Sequence, residues 1–412
     1  MHKFFFLLII LFFTTGCKAQ VYEYNILKFG AIPNDGKDDT EAFRKCFINA
    51  EQKSNATITI PLGAYDVHSE LKLSFLNATI SIIGEKQGEK VPVIRSKSDK
   101  NILFIQGYFS TPSVGSISIK NLKLLGANMA TSTFKTKINK DNWNAGILIT
   151  DKSQAILENV EVADFYGQGI HIATTKTDDI PLNARFSNVI IKNCKILNVW
   201  GSNPKKDNYG DGIYIAAAAK ATIADNYISN SITDTKHLGR GGIVVEYLAE
   251  NVLIKNNRVD QGYDRALHIE ATLGGHNIID NYFGGSDLSF VLAEFHKIYI
   301  PLKIENNTFT NTGLPKNSKL DKYYAAGNFG DRALVFLVTS GVPRNSIIFS
   351  NNTFRIDSAS YYHSNSILNN RSPAVAFLSN RFQNKLPAGV KIFNYSKGNF
   401  SNNIIDGKIE MQ

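Results

Sequence analysis

The chain reads as an all-β fold, a single-stranded parallel β-helix in which short strands wind into stacked coils. Three observations predict it. A short apolar strand recurs within residues 207–270, at Gly212–Ile215, Gly242–Val245 and Ala266–Ile269, and each copy is followed by a second short strand. The copies return at intervals of about 24 to 32 residues, the period of a solenoid and not of sandwiched layers. A column of asparagines accompanies them, each close to an apolar residue, and a hydrophobic content of 43% supplies a continuous core.

Residues 1–17 form an address. Lys3, the apolar run Phe4–Phe13 and the small residues before Cys17 have the order of a secretory signal. Gly16-Cys17 resembles the end of a bacterial lipobox, with Thr14 where that motif usually has Leu; this implies lipidation at Cys17. The apolar run is too short for a permanent span. The expectation is an exported protein, lipid-anchored in a bacterial outer membrane on its periplasmic or surface side. Its contact with the membrane would be that anchor only. Residues 18–412 then form one domain, for which a monomer is expected.

Residues 21–67 are expected to cap the solenoid, because a terminal coil would otherwise expose its core. Asn34-Asp35-Gly36 is turn chemistry, and Asp39 or Thr40 suits the N-cap of a helix reaching about Ala50, with Phe43, Phe47 and Ala50 on one face. Ile58–Ile60 returns as a strand, with Gly63 in the turn after Pro61. This stretch resembles the start of pectate-lyase-type (pectin lyase-like) right-handed parallel β-helix proteins. The residues that carry the resemblance are Phe29-Gly30-Ala31, Asp35-Gly36, Asp38-Asp39-Thr40 and the run from Ile60 to Tyr65. The resemblance implies right-handed coils and leaves the chemistry open, since one solenoid hosts many activities.

The asparagine column begins at Asn121, Asn159 and Asn193. It continues one position further on at Asn226, Asn257, Asn281, Asn307, Asn352, Asn380 and Asn403. Asparagine accepts left-handed backbone and bonds to its own main chain, so stacked asparagines at a corner read as scaffold. About ten coils at roughly 4.8 Å each make a rod near 50 Å long. The long interval between Asn307 and Asn352 holds a loop insertion, 313–328, whose lysines and Tyr323 and Tyr324 are candidates for flanking a sugar-binding cleft. Cys46 and Cys194 read as buried thiols, and no Cys/His cluster has zinc spacing.

The formal charge of +9 is spread along the whole chain. No nucleic-acid module or dense basic helix is present, so the expected partner is a polysaccharide, anionic in character, with no nucleic acid.

Strand alternation places the candidate site. With Ile213, Ile215, Ile243, Val245, Leu267 and Ile269 inward, one outward column is His171, Tyr214, Val244 and His268. The next is Ala173, Ala216, Glu246 and Glu270; on the other side lie Arg240 and Asp264, with Tyr209, Tyr263 and Arg265 on adjoining turns. The bland reading makes these surface ion pairs, such as Arg240 with Asp264, worth little. The functional reading has two forms, and the basic charge, Arg240 and the His/Tyr column make the first of them, a lyase, the leading expectation. In a polysaccharide lyase acting by β-elimination on a uronic-acid-containing glycan, Arg240 or Arg265 neutralises the carboxylate and His268, Tyr263 or Tyr214 acts as base or acid. Glu246 and Glu270 then hold a calcium ion or order an arginine. In a glycoside hydrolase the two glutamates, on adjacent coils about 5 Å apart, are the catalytic pair. Asp211 offers a second hydrolytic route. Tyr209–Gly212 resembles a degenerate Asn-Thr-Asp-Gly strand start of polygalacturonase-type hydrolases, but Arg240-Gly241 stands where they carry Asp-Asp, and their Gly-His-Gly and Arg-Ile-Lys motifs are missing. A non-catalytic glycan-binding or adhesive lipoprotein is the third reading.

Overall fold

The computed structural model describes residues 20–127, 144–200, 210–230, 239–285, 288–297, 299–312, 333–357, 364–382, 386, 389–405 and 408–410. It is a right-handed parallel β-helix, with the stacked coils that the recurring strands lead one to expect and the hand that the pectate-lyase-type resemblance implies. The signal segment, Cys17 and the 313–328 insertion lie outside the described residues. Among the described residues, no helix is long and apolar enough to cross a membrane.

Each coil contributes strands to three faces. One face is an unbroken row of eleven parallel strands from Leu71–Ser74 to Lys391–Ser396, in chain order. The other two faces share a second sheet, in which Asn188–Lys192 pairs with Ala221–Ala224 and Lys195–Trp200 with Tyr227–Ser229, and so on coil by coil. Inward side chains fill the rod with isoleucine and valine in the middle and phenylalanine towards the C-terminus. There Phe309 and Phe354 stack at 5.3 Å between ring centroids, and Phe354 and Phe382 at 4.7 Å. Both Cys46 and Cys194 are buried and free.

The N-terminal segment caps the core with a helix, Thr40–Glu51, which buries Ala42, Phe43, Cys46, Phe47 and Ala50. Phe43 meets Tyr65 edge-on at 5.8 Å. Asp39 holds the N-cap position, one of the two the sequence suggests, but the side-chain bond to the helix start comes from Asp38, which accepts from Thr40 N–H at 3.0 Å. Asp39 is turned instead to the Ile32 N–H at 2.9 Å. The strand Asn55–Ile60 that follows already pairs with Thr79–Gly84, so the cap merges into the first coils.

The asparagine column resolves into two rows. Asn121, Asn159 and Asn193 are left-handed residues with φ of 55°, 55° and 54°, equivalent to Asp225, Asn256, Asp280 and Asn306 further along. The seven asparagines from Asn226 to Asn403 are the next residue along, and all are buried. Their side chains form one ladder. Asn257 Oδ1 accepts from Asn226 N–H at 3.1 Å and Nδ2 at 2.9 Å, and Asn281 Oδ1 accepts from Asn257 N–H at 2.8 Å. The pattern repeats to Asn380 and Asn403, and each amide also donates to a carbonyl of a neighbouring coil, as Asn281 Nδ2 does to Ile254 O. The side-chain amides of the row thereby find their partners within the protein. The ladder starts where Cys194 N–H donates to Asn226 Oδ1.

Asn281→Ala strands the Asn257 N–H and the Ile254 carbonyl inside the rod, and should cost about 3 kcal/mol or more. Asn281→Asp is worse, since it aims a carboxylate at the carbonyls its amide now serves. Asn159→Gly, at a half-exposed left-handed position, should stay within about 0.5 kcal/mol. Urea unfolding of the three variants checks this order; equal midpoints for Asn281→Ala and the parent would refute it.

Candidate functional site

The outward columns fall as strand alternation places them. His171 is in register with Tyr214, Tyr214 with Val244, and Val244 with His268; Ala216 is in register with Glu246, and Glu246 with Glu270. The alternation breaks near the start of the strand Tyr263–Glu270, as it does at Leu334-Val335 and Ile367-Leu368 in the same sheet, where both neighbours also face the core. Ala266 and Leu267 both face the core, and an added Cβ at Gly242, the strand neighbour of Ala266, would sit 2.4 Å from Val259 Cγ1. This double inward step turns Arg265 onto the outer face beside His268. Arg265 and Tyr263 therefore lie within the strand Tyr263–Glu270 and not on an adjoining turn. Tyr263 points the other way and is fully buried in the core. Burial raises its pKa far above the ordinary phenol value, which removes it as a base or acid for a substrate outside.

Both arginines are paired with carboxylates. Arg240 grips Asp211 through Nε at 2.9 Å and Nη2 at 2.8 Å, and its Nη2 lies 3.2 Å from Glu246 Oε1. Asp211, 1% exposed, also accepts from the Gly241 N–H at 3.1 Å, so it sits beneath Arg240 and away from solvent. The expected Arg240–Asp264 ion pair is replaced by Asp264 with Arg265, Nη2 to Oδ2 at 3.0 Å. Arg265 is 3% exposed.

Arg265 also fixes the chemistry of His268. Its Nη1 lies 3.0 Å from His268 Nδ1, and a guanidinium has only donors, so Nδ1 accepts and the ring proton sits on Nε2. Nε2 then donates to Glu270 Oε2 at 2.9 Å. The side chain of Glu270 is 40% exposed, and this hydrogen bond is the main cause of a pKa below the usual carboxylate range, with the charges of Arg240 and Arg265 adding to it. Glu246 is 4% exposed, and its Oε1 has the Arg240 guanidinium for company but no hydrogen bond of good geometry.

On the next coils Tyr214 stacks on His171 with ring centroids 4.5 Å apart, and Arg240 lies 5.9 Å from the Tyr214 ring. Burial pushes His171 down to about 4, so it is neutral near pH 7, and pushes Tyr214 up, so it keeps its proton. His171 Nδ1 bonds to Gln168 Oε1. Tyr209, Tyr323 and Tyr324 lie outside the described residues.

Glu246, His268 and Glu270 place one potential ligand atom each within 4.8 Å of one another. They do not fit a cation. Calcium takes six to eight oxygens, and a metal-bound histidine donates its second ring nitrogen to an acceptor, whereas His268 Nδ1 faces the N–H of Arg265. The arrangement does suit proton and charge management on two carboxylates. Arg265 is the site residue that strict alternation misplaces; the signal was the Gly241-Gly242 dipeptide opposite Arg265-Ala266, where an unbroken alternation has no need of two glycines.

Residues 124–371 match a sequence family described as right handed beta helix region. The uncharacterized protein YclG of Bacillus subtilis (strain 168) is 24% identical over 248 residues, 57% of this chain and 41% of that protein, so the match spans well under half of the relative's length. The A-module of the mannuronan C-5 epimerase AlgE4 from Azotobacter vinelandii superposes with a TM-score of 0.54 at 16% identity, covering 92% of this chain and 99% of that one. The catalytic unit of a GH87 alpha-1,3-glucanase from Streptomyces thermodiastaticus strain HF3-3 gives a TM-score of 0.51 at 14% identity, covering 94% and 69%. At these identities the likeness to the solved structures is one of fold.

His268→Phe removes the donor that holds Glu270 ionised. Glu270 has a depressed native pKa, so its pairing stabilises the fold fully above the unfolded-state value and ceases as pH falls through the native one. In the variant the Glu270 titration, followed by carbon-13 NMR of its side chain, should move to higher pH. An unmoved titration would show that His268 does not govern it.

Proposed function

The chain belongs to the family of right handed beta helix regions, and for this member we propose a carbohydrate-active enzyme that cleaves glycosidic bonds in a polysaccharide. One observation carries the proposal. Glu246 and Glu270 stand in register on adjacent coils with carboxylate oxygens within 4.8 Å, one buried and one exposed and held ionised. Retaining glycosidases set their two carboxyl groups about 5–5.5 Å apart. The AlgE4 and glucanase neighbours act on mannuronan and alpha-1,3-glucan, which makes an extended polysaccharide a reasonable guest for the same rod.

In this reading Glu270 is the nucleophile. It is reachable from solvent, and the His268 proton keeps it charged and oriented. Glu246, shielded from water on the adjacent coil, takes the role of the acid that protonates the leaving oxygen and then, as base, draws a proton from the incoming water. Asp211 and Asp264 hold the two arginines, which in turn hold Glu246 and His268. Acylation at Cys17 would keep the enzyme at the outer membrane, where polymers too large for uptake are met.

A uronic-acid lyase is the second reading, favoured by the net charge of +9. The site itself weighs against it. Asp211, Glu246, Asp264 and Glu270 set four carboxylates against two guanidiniums, so neither arginine is a spare counter-charge for a uronate.

Incubation with neutral glucans, alginate and polygalacturonate separates the readings. Hydrolysis yields new reducing ends without near-ultraviolet absorbance, and Glu270→Gln should lower kcat by about 10²–10⁴. Unsaturated, absorbing products would replace the hydrolase reading with the lyase. Binding to these glycans without any cleavage would leave the adhesive reading.

A further inference from the structure

The turn after Glu246 contains Tyr247 and Leu248 with φ of 40° and 58°. Among the described residues it is the single place where two consecutive non-glycine residues are left-handed, and the other left-handed non-glycine positions carry Asn, Asp, Ala or Ser. Left-handed backbone is disfavoured for bulky side chains, and it persists where surroundings over-determine it, as they often do at ligand sites.

Here the surroundings are explicit. Arg185, itself buried, donates from Nη1 to the Leu248 carbonyl at 2.8 Å, from Nη2 to Glu250 Oε2 at 3.0 Å and from Nε to the Leu182 carbonyl at 3.0 Å. Leu248 packs against Ile180, Ala184 and Ala217. Leu248 N–H donates to Ala271 O at 3.0 Å, and Tyr247 N–H to Glu270 O at 3.2 Å. This clamp holds Leu248 in and turns Tyr247 out. The Tyr247 side chain belongs to a residue 52% exposed, on the rim beside Glu246 and Glu270. The equivalent positions on the coils either side are Ala217 and Ala271, also left-handed, so no neighbour in its column is longer than a methyl group.

We propose that Tyr247 is the platform on which a pyranose ring of the substrate stacks, in the subsite next to the Glu246–Glu270 pair. The inference rests on the carbohydrate-active reading. An aromatic face takes the apolar C–H face of a sugar, while the adjacent carboxylates and Arg240 take its hydroxyl groups. An exposed tyrosine needed only for solubility would not require a doubly left-handed turn and an arginine clamp.

The test compares Tyr247→Ala, Tyr247→Phe and Tyr247→Gly in the full chain, using the fastest-cleaved glycan of the neutral glucans, alginate and polygalacturonate. Ala already occupies the same backbone conformation at positions 217 and 271, so the first variant should fold. The Ala and Gly variants should raise KM roughly tenfold with kcat changed less than about twofold. The Phe variant should match the parent, and the Gly variant should melt at or above the parental Tm because its backbone is relieved. A parental KM in Tyr247→Ala would overturn the platform and leave the cleavage reading standing. If the parent binds in affinity gels without cleaving, that reading fails, and the gel retardation of Tyr247→Ala decides the platform alone. A parent that neither binds nor cleaves any of these glycans overturns both.

Discussion

The buried asparagine ladder is the constraint from which the rest of the molecule follows. Each asparagine from Asn226 to Asn380 closes a corner by bonding to the main chain of a neighbouring coil and to the next asparagine, and Asn403 ends the row. A slip of one residue in any coil would break hydrogen bonds to both neighbours inside the rod, where no water replaces them. Register is therefore held coil by coil. A side chain's place on one coil then fixes its neighbours on the adjacent ones.

That regularity makes the candidate site possible. Glu246 and Glu270 are close because they hold the same position on consecutive coils. Each of the other charged residues has a task relative to them. Asp211 fixes Arg240 beside Glu246, and Asp264 fixes Arg265, which sets the His268 tautomer and so aims a proton at Glu270. The burial of Arg265 and His268 makes these contacts stronger than surface ion pairs.

Much of this was legible in the sequence. The recurrence of Gly212–Ile215, Gly242–Val245 and Ala266–Ile269 identified the solenoid, and their alternation put His268, Glu246 and Glu270 on the outer face. Local chemistry that competes with alternation was not legible. A strict period of two cannot show that Ala266 and Leu267 both turn inward, which moves Arg265 to the site. The asparagine row beginning at Asn121 and the ladder beginning at Asn226 look like one column in sequence, because both residue positions at that corner favour asparagine, one for its backbone freedom and one for its amide. Pairing was the other gap. Arg240 meets Asp211, 29 positions earlier, and not Asp264 on the next coil; only the fold decides between the two.

In the proposed hydrolysis two carboxyl groups on adjacent coils act together on one glycosidic bond. Proton NMR of the first product formed from a cleaved glycan tests it most directly. A separation within 4.8 Å leaves no room for a water between carboxylate and sugar, so the product should keep the anomeric configuration of the bond broken. An inverted anomer, or an unsaturated sugar with no free water-derived hydroxyl, would contradict the assignment of Glu246 and Glu270.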